Sequence, residues 1–236
     1  MTDYKNMERQ LSERLRLDRR PIAVAFRESA PPQVPQFIGI EPSSCSFWRL
    51  AAEGRVFYTM ASDHYNCPIG SYTHNIPLPA DRAQELEQVL GLLTNIGYVR
   101  MEEVLVIPRL TTTPNVIIYA PLGETPVDPD VVLFSGRPGR LMLLQEAAVR
   151  AGVVSQLQTL PRPTCMALPA ALATGMVAST ACIGNRVYTG IDDDDLYMVV
   201  RGTDVARIAA ETETIAGANL ALLQYHGDRR QALATD

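Results

Sequence analysis

Histidine, tryptophan and cysteine are scarce in this 236-residue chain, which has three, one and four of them. No stretch approaches the roughly 18 uncharged apolar residues of a membrane span, so no membrane partner is expected. The opening segment MTDYKNMERQLSERL has no apolar core of the kind a secretory signal needs, so the cytoplasm is the expected compartment. A cationic excess is also missing. Lys and Arg number 21 against 26 Asp and Glu, a net charge of −5, whereas a nucleic-acid binder needs a basic face to release phosphate counterions. The one basic run, RLRLDRR at 14–20, reads as the solvated end of a helix. No Ser/His/Asp order, HExxH or paired catalytic carboxylate stands out, and neither GxGxxG nor a P-loop is present. In a reducing compartment the four cysteines, Cys45, Cys67, Cys165 and Cys182, are expected to be thiols, metal ligands or redox centres rather than structural disulfides.

The composition is that of a folded protein, 47% hydrophobic and 20% charged. Apolar residues at four-residue spacing (Met7, Leu11, Leu15) predict a helix over 3–17, which Pro21 stops. IAVAF at 22–26, VFYTM at 56–60, NVIIYA at 115–120, VVLFS at 131–135 and residues 196–200 read as strands. Helices are expected over 45–53, 79–93 (apolar at Leu86, Val89, Leu90 and Leu93), 139–151 and 204–233. Strands separated by helices predict a single α/β domain over 1–236, with a mixed or parallel sheet flanked by helices.

Laying one half of the sequence over the other reveals a repeat. The first half reads Cys45-SFWRLAAE-Gly54, then VFYTM, then Cys67-Pro-Ile-Gly70; the second reads Cys165-MALPAALAT-Gly175, then MVAST, then Cys182-Ile-Gly184. Each is a cysteine, a helical turn, a glycine stop, a short β-run, and a second cysteine with a glycine close by. Two pseudo-symmetric halves are therefore expected, at about 20–75 and 129–190, with four sulfurs facing one cleft. A cysteine at a helix N-terminus has its thiolate favoured by the positive end of the dipole. Four such sulfurs suit an iron–sulfur cluster, a zinc site or a haem. Their alternative is to be small packed hydrophobes.

His64 and His74 flank Cys67 and are candidate metal ligands; His64 is also a candidate base beside a Cys67 nucleophile. Tyr58 is a candidate cofactor-lining residue, and Trp48 fits a pocket or a core equally well. The acidic run Asp192 to Asp195 reads as a solvated turn and Gly136-Arg137-Pro138-Gly139-Arg140 as a strand-to-helix turn able to hold an anion. His226 reads as a surface residue.

The run Cys45…Ala51…Gly54-Arg-Val-Phe-Tyr58…Asp63-His64…Cys67-Pro-Ile-Gly70, with Cys182-Ile-Gly-Asn-Arg186 and the acidic segment 192–195, resembles the family called domain of unknown function 169, an archaeal and bacterial group. The resemblance extends from about Leu15 to about Ala210. Members similar to it are sometimes joined to ferredoxin-like segments, which implies redox or metal chemistry. Cys67-Pro departs from the glycine that often follows this cysteine, although proline still permits a turn. The leading expectation is thus a metal- or cofactor-binding protein with redox-related chemistry, an oxidoreductase if it is an enzyme. Its partner would be a small molecule or cofactor, together with a second copy of the chain or a redox partner protein. A cofactor-free cysteine enzyme and a non-catalytic small-molecule binder stay open beside it.

Overall fold

The computed structural model describes residues 2–234. Seven strands, β1 (Ile22–Arg27), β2 (Phe57–Met60), β3 (Val116–Pro121), β4 (Val131–Gly136), β5 (Gln158–Leu160), β6 (Met176–Ser179) and β7 (Leu196–Arg201), form one sheet in the order β2-β3-β1-β4-β7-β6-β5. The sheet is mixed, as the sequence predicts, but far from parallel: among the described strands β5 and β6 pair in parallel and the other strand pairs are antiparallel.

Helices cover both faces. On one lie α1 (Tyr4–Leu15), α6 (Pro138–Arg150) and α9 (Val205–Ala234), packed around Leu11, Phe134, Leu144, Val200 and Ile208. On the other lie α2 (Ser46–Ala52), α3 (Pro68–Thr73), α7 (Ala167–Thr174) and α8 (Ile183–Thr189), over a core that includes Val24, Phe47, Trp48, Tyr119, Leu133 and Val199. The alternation of apolar side chains between two buried faces explains why β3 and β4 are buried at every position. A helical excursion, α4 (Glu85–Asn95) and α5 (Met101–Val104), leaves the body between α3 and β3. The predicted apolar face Leu86, Val89, Leu90 and Leu93 is there, but only half-buried, so this helix lies on the rim of the core rather than inside it.

The strand order reads the same outward in both directions from the central β1–β4 pair: β1, β3, β2 one way and β4, β7, β6 the other. A shift of 109 residues carries Ile22–Arg27 onto Val131–Gly136, and a shift of 80 carries Val116–Pro121 onto Leu196–Arg201. Tyr119 pairs with Val24 and Phe57, and Val199 pairs with Leu133 and Val177. Phe57 and Val177 are thus in corresponding places, 120 residues apart. Cys45 and Cys165 are separated by the same interval.

Candidate functional site

The first cysteine of each half stands just before a helix that lies on the sheet. Cys45 precedes α2, and Cys165 lies in the 3-10 turn Thr164–Met166 that feeds α7. Glycines with φ of 104° (Gly54) and 94° (Gly175) follow the two helices, a backbone conformation that a side chain would strain. The second cysteine of each half caps a short helix. Cys67 precedes α3, where Pro68 occupies the first turn, and its Sγ accepts a hydrogen bond from the Gly70 N–H at 3.3 Å. Cys182 precedes α8, and its own N–H donates to Thr164 Oγ1 at 2.6 Å.

The residue preceding each first cysteine therefore packs on the turn of the second. Thr164 does so through that hydrogen bond, and Ser44 does so by close approach to Gly70. A Cβ on Gly70 would lie 2.8 Å from Ser44 Cβ and 2.9 Å from Cys67 Sγ, so only glycine fits. The helices also meet across the halves, α2 against α8 and α3 against the turn that carries Cys165. The Asn185 amide of α8 faces Cys45, and Thr73 of α3, whose hydroxyl donates to the Gly70 carbonyl at 3.0 Å, lies beside Cys165.

These contacts bring the four cysteines together. Cys45 lies within electrostatic range of Cys67 and Cys182, and Cys165 within range of Cys45, Cys67 and Cys182. Cys45 and Cys165 are the inner pair, each 4% exposed, while Cys67 and Cys182 are half-buried at the outer edge. The helix-dipole argument fails for the inner pair. Burial, and then the neighbouring thiols, push the Cys45 and Cys165 pKa values upward, so both are thiols at neutral pH in the ligand-free protein.

The flanking residues divide. His64 is buried on the cysteine face, but both ring nitrogens are engaged by hydroxyls, Nδ1 with Ser44 Oγ at 2.9 Å and Nε2 with Thr59 Oγ1 at 2.8 Å. Burial, with His74 adding to it, holds its pKa well below the usual imidazole range. As placed, it has no free nitrogen to act as a base towards Cys67. His74 is fully buried, its ring 5.5 Å from that of His64, and neither of its nitrogens has a hydrogen-bond partner. Burial lowers its pKa to about 4. Tyr58 sits elsewhere. The period of two along β2 turns Phe57 and Thr59 towards the cysteine face and Tyr58 to the opposite one, where it packs with Val34 and Ile118 and its hydroxyl donates to Gln36 Oε1.

Sequence reasoning missed Tyr119, because it stands inside the apolar run of β3 and reads as a strand residue. Its side chain is fully buried on the cysteine face, within electrostatic range of Cys45, Cys165 and Cys67, and its hydroxyl has no hydrogen-bond partner. Two more buried polar atoms without partners, Ser46 Oγ and Trp48 Nε1, lie in the first turn of α2 directly after Cys45. Trp48 stacks edge-on against Tyr197, with ring centroids 5.4 Å apart. Buried polar groups are nearly always satisfied by protein or water, so each of these three is an exception within the core.

Residues 10–211 match the model of domain of unknown function 169, described as uncharacterised ArCR. The chain belongs to this family. The match takes in all four cysteines and the whole sheet, starting within α1 and stopping within α9. No curated protein and no solved structure matches the chain.

Within this member of domain of unknown function 169, the remaining candidates lie outside the cysteine face. Arg186 binds the carbonyls of Thr180, Asp192 and Asp195 and lies 3.5 Å from the Asp193 carboxylate, so one guanidinium organises the acidic turn. Arg137 and Gly139 are exposed at the start of α6, and His226 is exposed on α9. Among the described residues, no group of three or more His, Cys, Asp or Glu is arranged to hold a metal ion as it stands, and no helix is long and apolar enough to cross a membrane.

Proposed function

We propose that this chain holds a thiol-ligated metallocofactor, an iron–sulfur centre in first place, on the sheet face covered by α2, α3, α7 and α8, with Cys45, Cys67, Cys165 and Cys182 as its ligands and redox-related chemistry as its use. The observation that carries the reading is the meeting of cysteines from both halves beside buried polar atoms that have no partner. Two copies of one cysteine unit about a twofold axis through the β1–β4 pair account for that meeting. Crowding thiols raises their pKa values, because each thiolate repels the next; a cation reverses the penalty and releases the protons as it binds. The donor set suits a soft metal. Drawing four sulfurs to coordination distance requires the half-exposed turns at Cys67 and Cys182 to close on the inner pair. Those turns open the short helices α3 and α8, which lie over the sheet rather than within it.

The tight aromatic packing of Phe37, Phe47, Phe57 and Tyr119 under the cysteines favours a compact cluster over a haem. His64, held at both nitrogens by hydroxyls, supports a structural role for that histidine rather than a Cys–His catalytic pair. On this reading the protein works in the cytoplasm with a redox partner protein. The test is anaerobic purification followed by elemental analysis and an ultraviolet–visible spectrum. The reading expects iron and acid-labile sulfide in stoichiometric amount with visible absorption; a colourless protein that takes up neither from ferrous iron and sulfide would overturn it.

A further inference from the structure

Helix α9 outruns the body it packs on. Its first turns are held against α1 and α6 through Val205, Ile208, Ala209 and Thr212, and Arg14 of α1 reaches the Glu213 carboxylate at 2.9 Å. Residues 220–234 are exposed at every position and lie beyond the family match, which ends at 211. A lone helix of this length is marginal in water. This one also carries large apolar side chains in the open, Leu220 at 59% and Leu223 at 63% exposure. It includes Gly227, which has open space where a Cβ would stand, so nothing in its own chain asks for a residue that weakens a helix by about 1 kcal/mol.

Glu213, Ala216, Leu220, Leu223, Gly227 and Arg230 follow one another at alternating intervals of three and four residues, which places them in one stripe along the helix. The stripe is symmetric about the point between residues 221 and 222, except that its two ends carry opposite charges. Turned end for end, it meets a copy of itself with Leu220 opposite Leu223, Ala216 opposite Gly227 and Glu213 opposite Arg230.

We propose that the protruding part of α9 is a dimerisation element, pairing antiparallel with the same helix of a second copy of this chain about a twofold axis near residues 221–222. Each contact then occurs twice. The leucines fill the middle layers, the small residues let the backbones approach, and the two Glu213–Arg230 pairs fix the direction. A parallel pair would instead set Glu213 against Glu213 and Arg230 against Arg230. By the helical period, Leu222 and Tyr225 fall away from this seam. A single helix pair makes an interface below the standard size, so association in the micromolar range is expected.

Sedimentation velocity and light scattering of the full chain across micromolar concentrations test this. Wild type should dimerise reversibly. Leu223→Glu should raise the dissociation constant at least about a hundredfold, since two leucines leave the seam per dimer. The same change, at an exposed position, should leave the melting temperature of dilute protein where it was. Leu222→Gln should leave the dimer intact. Arg230→Glu should weaken it, and Glu213→Arg added to the same chain should restore it. Wild type that stays monomeric to high micromolar concentration overturns the proposal, whether it then binds anionic lipid vesicles or nothing. A dimer indifferent to Leu223→Glu overturns it by placing the contact elsewhere, and a dimer that the charge exchange fails to restore overturns the antiparallel pairing.

Discussion

Ser44 Oγ and His64 Nδ1 lie 2.9 Å apart in a fully buried contact, and this one pair joins the residue before Cys45 to the turn that leads to Cys67. Its partner contact, Thr59 Oγ1 to His64 Nε2, ties the same imidazole to β2. The histidine that the sequence offers as a base is thereby a brace. It holds the first cysteine helix, the edge strand and the second cysteine turn in one arrangement, and so sets where the two cysteines of the first half stand.

Because His64 and His74 are buried and neutral, acid should destabilise the fold. Both have folded pKa values below the ordinary 6.5, His74 at about 4. Their contribution is fully present above pH 6.5. It is lost as pH falls below 6.5, because the unfolded chain takes up the protons first. The slope is about 1.4 kcal/mol per pH unit for each histidine until its folded pKa is reached. Urea unfolding of cofactor-free protein at pH 7 and pH 5 measures this, and His74→Phe should make the dependence shallower by about one proton. A stability that is flat between those two pH values would refute the assignment.

Thiol reactivity should fall into two classes. In chelator-treated native protein the half-exposed Cys67 and Cys182 should react with an aromatic disulfide reagent, while Cys45 and Cys165, buried and with raised pKa values, should react only on unfolding. Four fast native thiols would contradict the placement of the inner pair.

Gly70→Ala should cost about 1–3 kcal/mol by overpacking against Ser44 and Cys67 and should weaken cofactor retention, since the new methyl displaces the Cys67 turn. Gly91→Ala is the control. It lies within α4 with open space where a Cβ would stand, and gains up to about 1 kcal/mol from helix propensity. Denaturant midpoints with iron content distinguish the two; equal effects would show that the Ser44 approach is unimportant.

Much of this fold is legible in the sequence because its strands are apolar runs with clear stops. Ile22, Val116, Val131 and Leu196 begin strands within a residue or so of where β-branched composition puts them. Two of the elements that escape show why. The helix α8, IGNRVYT, buries only Asn185 and Thr189 and leaves Ile183 and Val187 exposed, so it carries no inward apolar stripe to read. Strand β5 is three residues long and exists only by parallel pairing with β6, a tertiary effect invisible to periodicity. The antiparallel character of the sheet is likewise set by which strands become neighbours. At the site, the cysteine repeat points to four residues that the fold brings within electrostatic range of one another. The burial of Tyr119 and the hydroxyls on His64 depend on contacts between distant segments, and no local pattern announces them.

Cys67→Ser should separate ligation from packing. A half-exposed cysteine that merely packs costs at most about 1 kcal/mol when replaced by serine. As a ligand, its loss should strip the cofactor while the cofactor-free melting temperature changes by no more than a few degrees. An unchanged iron content and spectrum in this variant would return the cysteines to the role of packed thiols.

The most direct measurement is X-ray absorption at the iron edge of anaerobically loaded protein, wild type beside Cys67→Ser. The account predicts a nearest shell made of sulfur with iron scatterers behind it in the wild type, and loss of bound iron or replacement of one sulfur by oxygen in the variant. A nearest shell of only oxygen and nitrogen, or a sulfur shell identical in both proteins, would contradict it.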